Sequence, residues 1–593
     1  MANYTTPLRD MRFVYNELFD PEAISALPGC EEVTPDLVDA ILEEAGRFCE
    51  ERLLPLNRSG DEEGCRFENG RVTTPAGMKE AYQDFNEMGW GALAADPEYG
   101  GQGLPNMVSM MVEEIMCSTN FAFGLYPGLT HGAYNALVAR ASDELKQIYL
   151  PNMVSGQWSG SMCLTEPQCG TDLGLIRTKA EPQADGSYQI TGTKMFITAG
   201  EHDLTENIIH LVLARTPDSP KGIKGISLFL VPKIQVSDDG SLGDPNGVSC
   251  GSIEHKMGIN ASATCVMNFD QAKGFLVGDL NKGMEAMFIM MNTERLAVGI
   301  QGLGIGEASY QGAVAYARER LQGRALNGPK SPDKPADSLL VHPDVRRMLL
   351  TQRAYVEGNR ALAAWVASEL DHSKRNPDLR RRQEAEDFVA LMTPIVKAFM
   401  TDTGSEVANL GVQVFGGHGY IREHGMEQFV RDARIAQIYE GTNGVQAMDL
   451  VGRKMPAHMG RYLRRFFHPV RDYLESKEHD FGMHAFLMPL AKAFGRLQKA
   501  TAHLAQRGLK NPDDVGAAAT DYLRLFALVA LGYLWMRMAD IGKQKKEQDP
   551  LFYQAKSDTA RFFFEKILPQ SSALFANIMV GSKGVMKFND DAF

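Results

Sequence analysis

The 593-residue chain contains eight cysteines, at 30, 49, 65, 117, 163, 169, 250 and 265, and no CxxC pair among them. In a chain this long they read as reduced thiols in a reducing compartment. A basic excess is also missing. Lys and Arg number 61 against 74 Asp and Glu, for a formal charge of −13. That argues against a nucleic-acid binder but leaves room for an anionic ligand at a local basic site. Long apolar runs are lacking too. The longest uncharged one, "LFALVALGYLWM" between Arg524 and Arg537, falls short of the ~20 residues a membrane span needs. It is expected to be a buried helix of a soluble protein. The opening "MANYTTPLRDMRFVYNELFD" carries acidic residues and no apolar core segment, so no signal or transit peptide is expected, and the expected location is cytoplasmic.

What is present points to a large folded protein. Apolar residues make up 44% and charged residues 23% of the chain, enough for a sizeable core. The length calls for three or more substructures. Residues 1–34 read as an arm interrupted by Pro7, Pro21 and Pro28. From 35 to 157 the pattern is helical, opening at "TPDLVDAILEEAGRFCEERLLP" with a Thr cap and stopping at Pro55. Around 158 the texture turns to β-branched and aromatic runs such as "NIIHLVLARTP" and "GISLFLVPKIQV", separated by Gly, Pro, Asp and Asn. Residues 158–280 are therefore expected to form a barrel or sandwich. Helices return over 281–455, and 456–593 read as a further helical block.

Four glycine-containing loops carry the chemistry. "CLTEPQCGTD" (163–172) ends a strand, with the Thr165 hydroxyl before Glu166-Pro167 and Gly170 open to close approach. "KMFITAG" (194–200) sets Phe196 and Thr198 on one face of a strand, a pairing suited to a flat heteroaromatic ring. "GVQVFGGHGYIREHG" (411–425) offers Gly416, Gly417 and Gly419 as a backbone nest for a diphosphate. It has no GxGxxG pattern and is flanked by helices, unlike a dinucleotide-binding βαβ unit. His418 and His424 lack the carboxylate–histidine spacing of a metal site, so no metal is expected. In "IAQIYEGTNGVQAMDL" (435–450), Glu440 leaves an apolar run for a glycine-rich loop. Alone it would read as a solvated residue at a helix end.

Together, "CLTEPQCGTD", "QVFGGHGY" and "IYEGTNGVQ" resemble the signatures of the acyl-CoA dehydrogenases, over most of residues 35–455. "PLRDMRFVYNELFD" and the extra C-terminal block are similar to a bacterial branch that includes 3-methylmercaptopropionyl-CoA dehydrogenases. The resemblance implies an α+β fold: an N-terminal α-domain, a central β-barrel or sandwich, a C-terminal four-helix bundle and an additional helical domain. It implies FAD, an acyl-CoA substrate, and oxidation of the thioester to the trans-2-enoyl-CoA. Electrons would pass to an electron-transfer flavoprotein, and the protein would be a homo-oligomer, expected to be a dimer.

The resemblance also assigns residues. Glu440 is implied as the base that takes the poorly acidic α-proton, helped by burial and by hydrogen bonds to the thioester carbonyl. Leu164, Thr165, Phe196 and Thr198 are implied beside the flavin ring, with Phe196 where many relatives have Trp. Arg320 and Gln322 are implied at the FAD phosphates, with Gly323 where relatives commonly have Phe. Gln413, Gly416 and Gly417 are implied to hold the adenosine-diphosphate half of FAD from a neighbouring subunit, and Thr442 to touch FAD. Thr171 and Arg295 are implied on the CoA side.

One departure stands out: Glu294 in "MNTERLAVG" occupies the position of the base in the isovaleryl and long-chain branches. The chain thus has a glutamate at both places, and Glu440 is the expected base because its loop matches the family pattern. Gly299, Gly302, Gly304 and Gly306 either leave space for a long acyl chain or allow close helix packing. The expected substrate is a medium- to long-chain fatty acyl-CoA of β-oxidation, with the 3-methylmercaptopropionyl ester as the alternative. A same-fold oxidase and a non-catalytic FAD- or CoA-ester-binding protein are the remaining readings. For "GRYLRRFFHPVR", a solvated helix with an aromatic packing face is favoured over a membrane-surface element.

Overall fold

A computed structural model describes residues 4–593, the side chain of Asn292 excepted. It divides into two compact units. One comprises Glu44–Leu104 and Ile115–Ala297. The other comprises Val298–Phe593 with Pro105–Glu114 and the N-terminal stretch through Glu43.

The first unit is built on a seven-stranded sheet. Its path runs Trp158–Cys163, Asn207–Ala214, Ser227–Pro232, Thr264–Val277, Tyr188–Thr198, Lys179–Pro182, and Val248–Ile253 also pairs with Thr264–Val277. Only the first pair is parallel. Thr264–Val277 changes partner along its length. Its end, Phe275–Val277, pairs with Leu228–Leu230, while Thr264–Gly274 pairs with Tyr188–Thr198. Register shifts after Cys265 and Phe269 accompany this change of partner, as bulges bend a strand from one sheet into another. Every residue of Asn207–Ala214 and Ser227–Pro232 is buried. Those segments therefore read in the sequence as continuous apolar runs without alternation. Val212, Phe229, Cys265, Met267 and Phe269 belong to the core on the sheet.

The second unit is helical. Its bundle uses Gly283–Glu319 from Val298 onward, Pro343–Arg375, Leu379–Phe415 and Met426–Ala436. The glycines of the first helix serve packing. A Cβ at Gly299 would stand 2.7 Å from Val396 Cγ1, and one at Gly302 would stand 2.5 Å from the Met400 carbonyl oxygen. Gly404 answers from the facing helix, against the Gly302 backbone. Of the two readings of this glycine run, close helix packing is the one realised at Gly299 and Gly302.

The C-terminal helices share the bundle's core. Pro512–Lys545 is, among the described residues, the one helix long and apolar enough to cross a membrane, and 89% of its most apolar window is buried inside the protein. Trp535 on that helix donates to the Ala354 carbonyl at 3.1 Å. Trp365 packs against Phe388, Phe466 and Tyr533. In Arg461–Ser476, Phe466 and Val470 are buried, while Arg461 and Arg465 pair with Asp387. That helix has the aromatic packing face expected of it.

The N-terminal stretch is packed, with Met11, Phe13, Val14, Tyr15 and Leu18 buried. Asp10 meets a buried charge cluster: Arg360 pairs with Asp10, Glu114 and Glu307, and Lys556 with Asp10 and Glu357. All eight cysteines are free thiols.

Candidate active site

The candidates fall into two groups, one in each unit. In the sheet unit, Leu164 and Thr165 follow the strand Trp158–Cys163, and Phe196 and Thr198 end the strand Tyr188–Thr198. The Met195 amide donates to the Thr165 carbonyl at 2.9 Å, which sets the loop beside Phe196.

Phe196 is not in a regular strand. Ile197 pairs with Cys265 and Lys194 with Met267, so Met195 and Phe196 together oppose Val266. This bulge sets Phe196 at φ +58°, a strained region for a bulky side chain. Lys194 and Ile197 are buried, whereas Phe196 is 58% exposed and Thr198 half-buried. The bulge interrupts alternation between Lys194 and Ile197 and leaves the Phe196 ring outward. Phe196 and Thr198 flank the buried Ile197 as the more open positions.

Two residues without an assigned role build this loop. Glu166 accepts from the Arg177 amide at 2.8 Å, the Thr178 amide at 3.0 Å, the Thr178 hydroxyl at 2.6 Å and Lys194 Nζ at 2.9 Å. Burial opposes its ionisation, yet the Lys194 charge and these hydrogen bonds prevail and hold its pKa at about 2. Lys194 also donates to the Leu164 carbonyl at 3.0 Å. The one visible signal was a lysine within the apolar run "KMFIT". Thr171 is exposed on the same loop. Arg295 and Glu294 are buried on the helix Gly283–Glu319, at 6% and 5% exposure.

In the helical unit, Arg320 follows that helix's last turn, and Gln322 and Arg320 bracket the chain by backbone bonds to Asp337 and Leu339. Gln413 is exposed near the end of Leu379–Phe415, and Gly416, at φ +61°, begins the turn after it. Tyr316 stacks on Phe415 with ring centroids 4.1 Å apart, and its hydroxyl bonds His418 Nδ1 at 2.9 Å. These contacts bring the end of the first helix beside the Gly416-Gly417 turn.

Glu440 is half-buried at φ +57°, followed by Gly441 at φ +82°. Thr442 then caps the helix Asn443–Asp449, its hydroxyl accepting from the Val445 amide at 3.3 Å. The Tyr439 hydroxyl donates to Gln301. Two successive left-handed residues at the loop tip, one of them a glutamate, are the kind of strain that collects at functional sites.

The chain as a whole is matched by known proteins. Family models for the acyl-CoA dehydrogenase N-terminal, middle and C-terminal domains match residues 36–157, 161–272 and 281–455. A model described as acetyl-CoA dehydrogenase C-terminal like matches 466–589. A 3-methylmercaptopropionyl-CoA dehydrogenase of Ruegeria pomeroyi is 44% identical over 97% of this chain and 98% of its own. The chain belongs to the acyl-CoA dehydrogenases. A butyryl-CoA dehydrogenase of Syntrophomonas wolfei is 32% identical over 100% of this chain and 99% of its own. The crystal structure of an acyl-CoA dehydrogenase complexed with FAD from Bacillus anthracis superposes with a TM-score of 0.75 at 20% identity, covering 97% of this chain and 92% of that one.

As a family member the protein is an FAD-dependent oxidoreductase acting on a CH–CH bond. The residues present fit that cofactor. A Cβ at Gly416 or Gly417 would meet nothing within 4 Å, so the backbone there is open to a close ligand. In the other unit, Phe196 presents a ring that is 58% exposed, a flat apolar surface suited to a heteroaromatic plane.

Proposed function

We propose that the protein oxidises a short acyl-CoA thioester to its trans-2-enoyl-CoA, with Glu440 as the base and the 3-methylmercaptopropionyl ester as the leading substrate. The observation that carries the role of Glu440 is its conformation: a half-buried carboxylate held at φ +57° on a loop tip. Strain of that kind collects at functional sites. Glu440 takes the α-proton onto a carboxylate oxygen. Bound FAD supplies the acceptor for the β-hydrogen, which leaves as hydride.

The chain's own residues position the reactants. Leu164, Thr165, Phe196 and Thr198 hold the flavin ring. Arg320 and Gln322 reach its phosphates, Gln413, Gly416 and Gly417 hold the adenosine-diphosphate half in keeping with a homodimer that shares its sites, and Thr442 touches the FAD. Thr171 and Arg295 hold the CoA. Electrons then pass to an electron-transfer flavoprotein, in the cytoplasm.

Two observations favour the thioether ester. The Ruegeria relative, named for that substrate, is 44% identical over nearly the whole chain. The glycine run that could have made room for a long chain is packed at Gly299 and Gly302, so that run by itself lends no support to a medium- to long-chain fatty acyl-CoA. A straight-chain substrate is the second reading, favoured by the full-length likeness to a butyryl-CoA dehydrogenase.

Anaerobic flavin bleaching decides between them, using saturated acyl-CoAs from butyryl to palmitoyl and the 3-methylmercaptopropionyl ester. The expected result is fastest bleaching by the thioether ester. A maximum at butyryl or at any longer saturated chain would give the second reading, and no bleaching by any of the esters with FAD bound would overturn both. Rapid peroxide production without an added acceptor would make the protein an oxidase.

A further inference from the structure

Lys397, in the middle of the helix Leu379–Phe415, is wholly buried, and no step of the chemistry uses it. Its ammonium donates to the Gly441 carbonyl at 2.9 Å and to Asn443 Oδ1 at 2.9 Å. Asn443 in turn donates to the Ala398 carbonyl at 3.1 Å and to Asp402 at 2.7 Å. Gln437, on the other side of the loop tip, donates to the same Asp402 oxygen at 2.7 Å. From within the loop, Gln446 donates to the Glu440 carbonyl at 3.0 Å and the Gly441 carbonyl at 3.3 Å. The segment 437–443 is thus fastened on both sides of Glu440 to one stretch of helix, residues 397–402.

Such a clamp has an energetic logic. A non-glycine residue in the left-handed region is strained, so the loop would relax at Glu440 unless held. A neutral donor already reaches the Gly441 carbonyl from Gln446. Burying an ammonium as well is costly before its hydrogen bonds are counted. What the ammonium adds is rigidity, since it fixes the Gly441 carbonyl and the Asn443 side chain against one helix. Catalytic groups need that kind of support to hold their geometry.

We propose that Lys397 is a positioning residue for the base: it holds the Gly441 carbonyl and Asn443 so that Glu440 stays in its left-handed conformation, aimed at the substrate. The proposal rests on the reading of Glu440 as the base.

The test compares Lys397→Met, Glu440→Gln and the unaltered holoenzyme. Lys397→Met is expected to lower kcat per bound FAD by about 100-fold, the scale of a misplaced reacting group. KM and FAD content are expected to stay within about threefold of the parent, since binding is not what is lost. The pH profile of kcat is expected to move as the Glu440 environment loosens. Amide hydrogen exchange is expected to accelerate in 437–446 and not elsewhere. A residue of merely structural importance would lower the melting temperature and FAD content with kcat per bound FAD unchanged, and that result overturns the proposal. So does unchanged exchange over 437–446. Should the methionine variant not fold, Lys397→Gln, neutral and one atom shorter, carries the same prediction. If Glu440→Gln retains turnover, the assignment of the base has failed, and local exchange alone then decides whether Lys397 orders the loop.

Discussion

Gly132 and Glu294 are so closely apposed that a methyl group on Gly132 would collide with the glutamate's carboxylate, 3.0 Å from its Cδ and 3.1 Å from the Met290 methyl. The second acidic candidate is therefore pressed against the backbone of the helix Asn106–Arg140. Gly132→Ala forces that carboxylate to move or the helix to shift, and overpacking of this kind costs about 1–3 kcal/mol. The variant should melt at a lower temperature while keeping substantial turnover per bound FAD. Complete loss of flavin reduction in a folded, FAD-loaded Gly132→Ala protein would point to Glu294 as the base.

Conservative exchange of each glutamate tests the same assignment directly. Glu440→Gln should slow anaerobic flavin bleaching by about 10²–10⁴-fold, the usual contribution of a general base. Glu294→Gln should remain within about tenfold of the parent, since it keeps the volume and removes a charge that the proton transfer does not use. The reverse pattern would exchange the roles.

Glu166 and Lys194 should dominate acid sensitivity in the sheet unit. The Glu166 pKa is held at about 2 against an ordinary value of 4.5. The folded state thus binds this proton less readily than the unfolded one. Its stabilisation is complete above pH 4.5 and is lost as the pH falls from there toward 2. Glu166→Gln should flatten that limb of a melting-temperature profile. At neutral pH it should destabilise by about 3–5 kcal/mol, because Lys194 is left buried without its charge partner.

The helical unit should respond in the opposite direction. Burial pushes the Glu113 carboxyl up to about 7. Burial likewise raises Glu114 to about 7, although Arg360 opposes it. The folded state holds these protons more tightly than the unfolded one, so their stabilisation is full below the ordinary value of 4.5 and is lost as the pH rises through 7. Melting temperature should therefore fall between about pH 6 and pH 8, and Glu113→Gln should make that decline shallower. An unchanged slope in the variant would show that Glu113 is not protonated in the folded protein.

Much of the fold was legible because it follows from local pattern. The β-branched runs from Trp158 to Val277 are strands, and the apolar stretch around Leu525–Met536 is a buried helix. The four loops were legible as motifs by their glycines and by the acid among them. Phe196 was only half read. Its identity was visible, but the bulge that turns it outward exists because the facing strand offers a single residue, Val266, against two. The Glu166–Lys194 pair spans 28 positions, and nothing in either loop announces the other. The glycines at 299 and 302 left space and packing equally open until Val396 and Met400 were found against them.

By itself the sequence determined the order of helices and strands and the glutamate loop, which rest on residue type and short-range spacing, and through its motifs the resemblance that implied the family and FAD. Only the tertiary structure decided that Lys397 and Asp402 clamp that loop, that Lys194 and Glu166 organise the first motif, and that Glu294 lies against Gly132. The physical reason is one of range. Propensity and periodicity act over a few residues, whereas a buried charge must find its partner wherever the packed chain brings one.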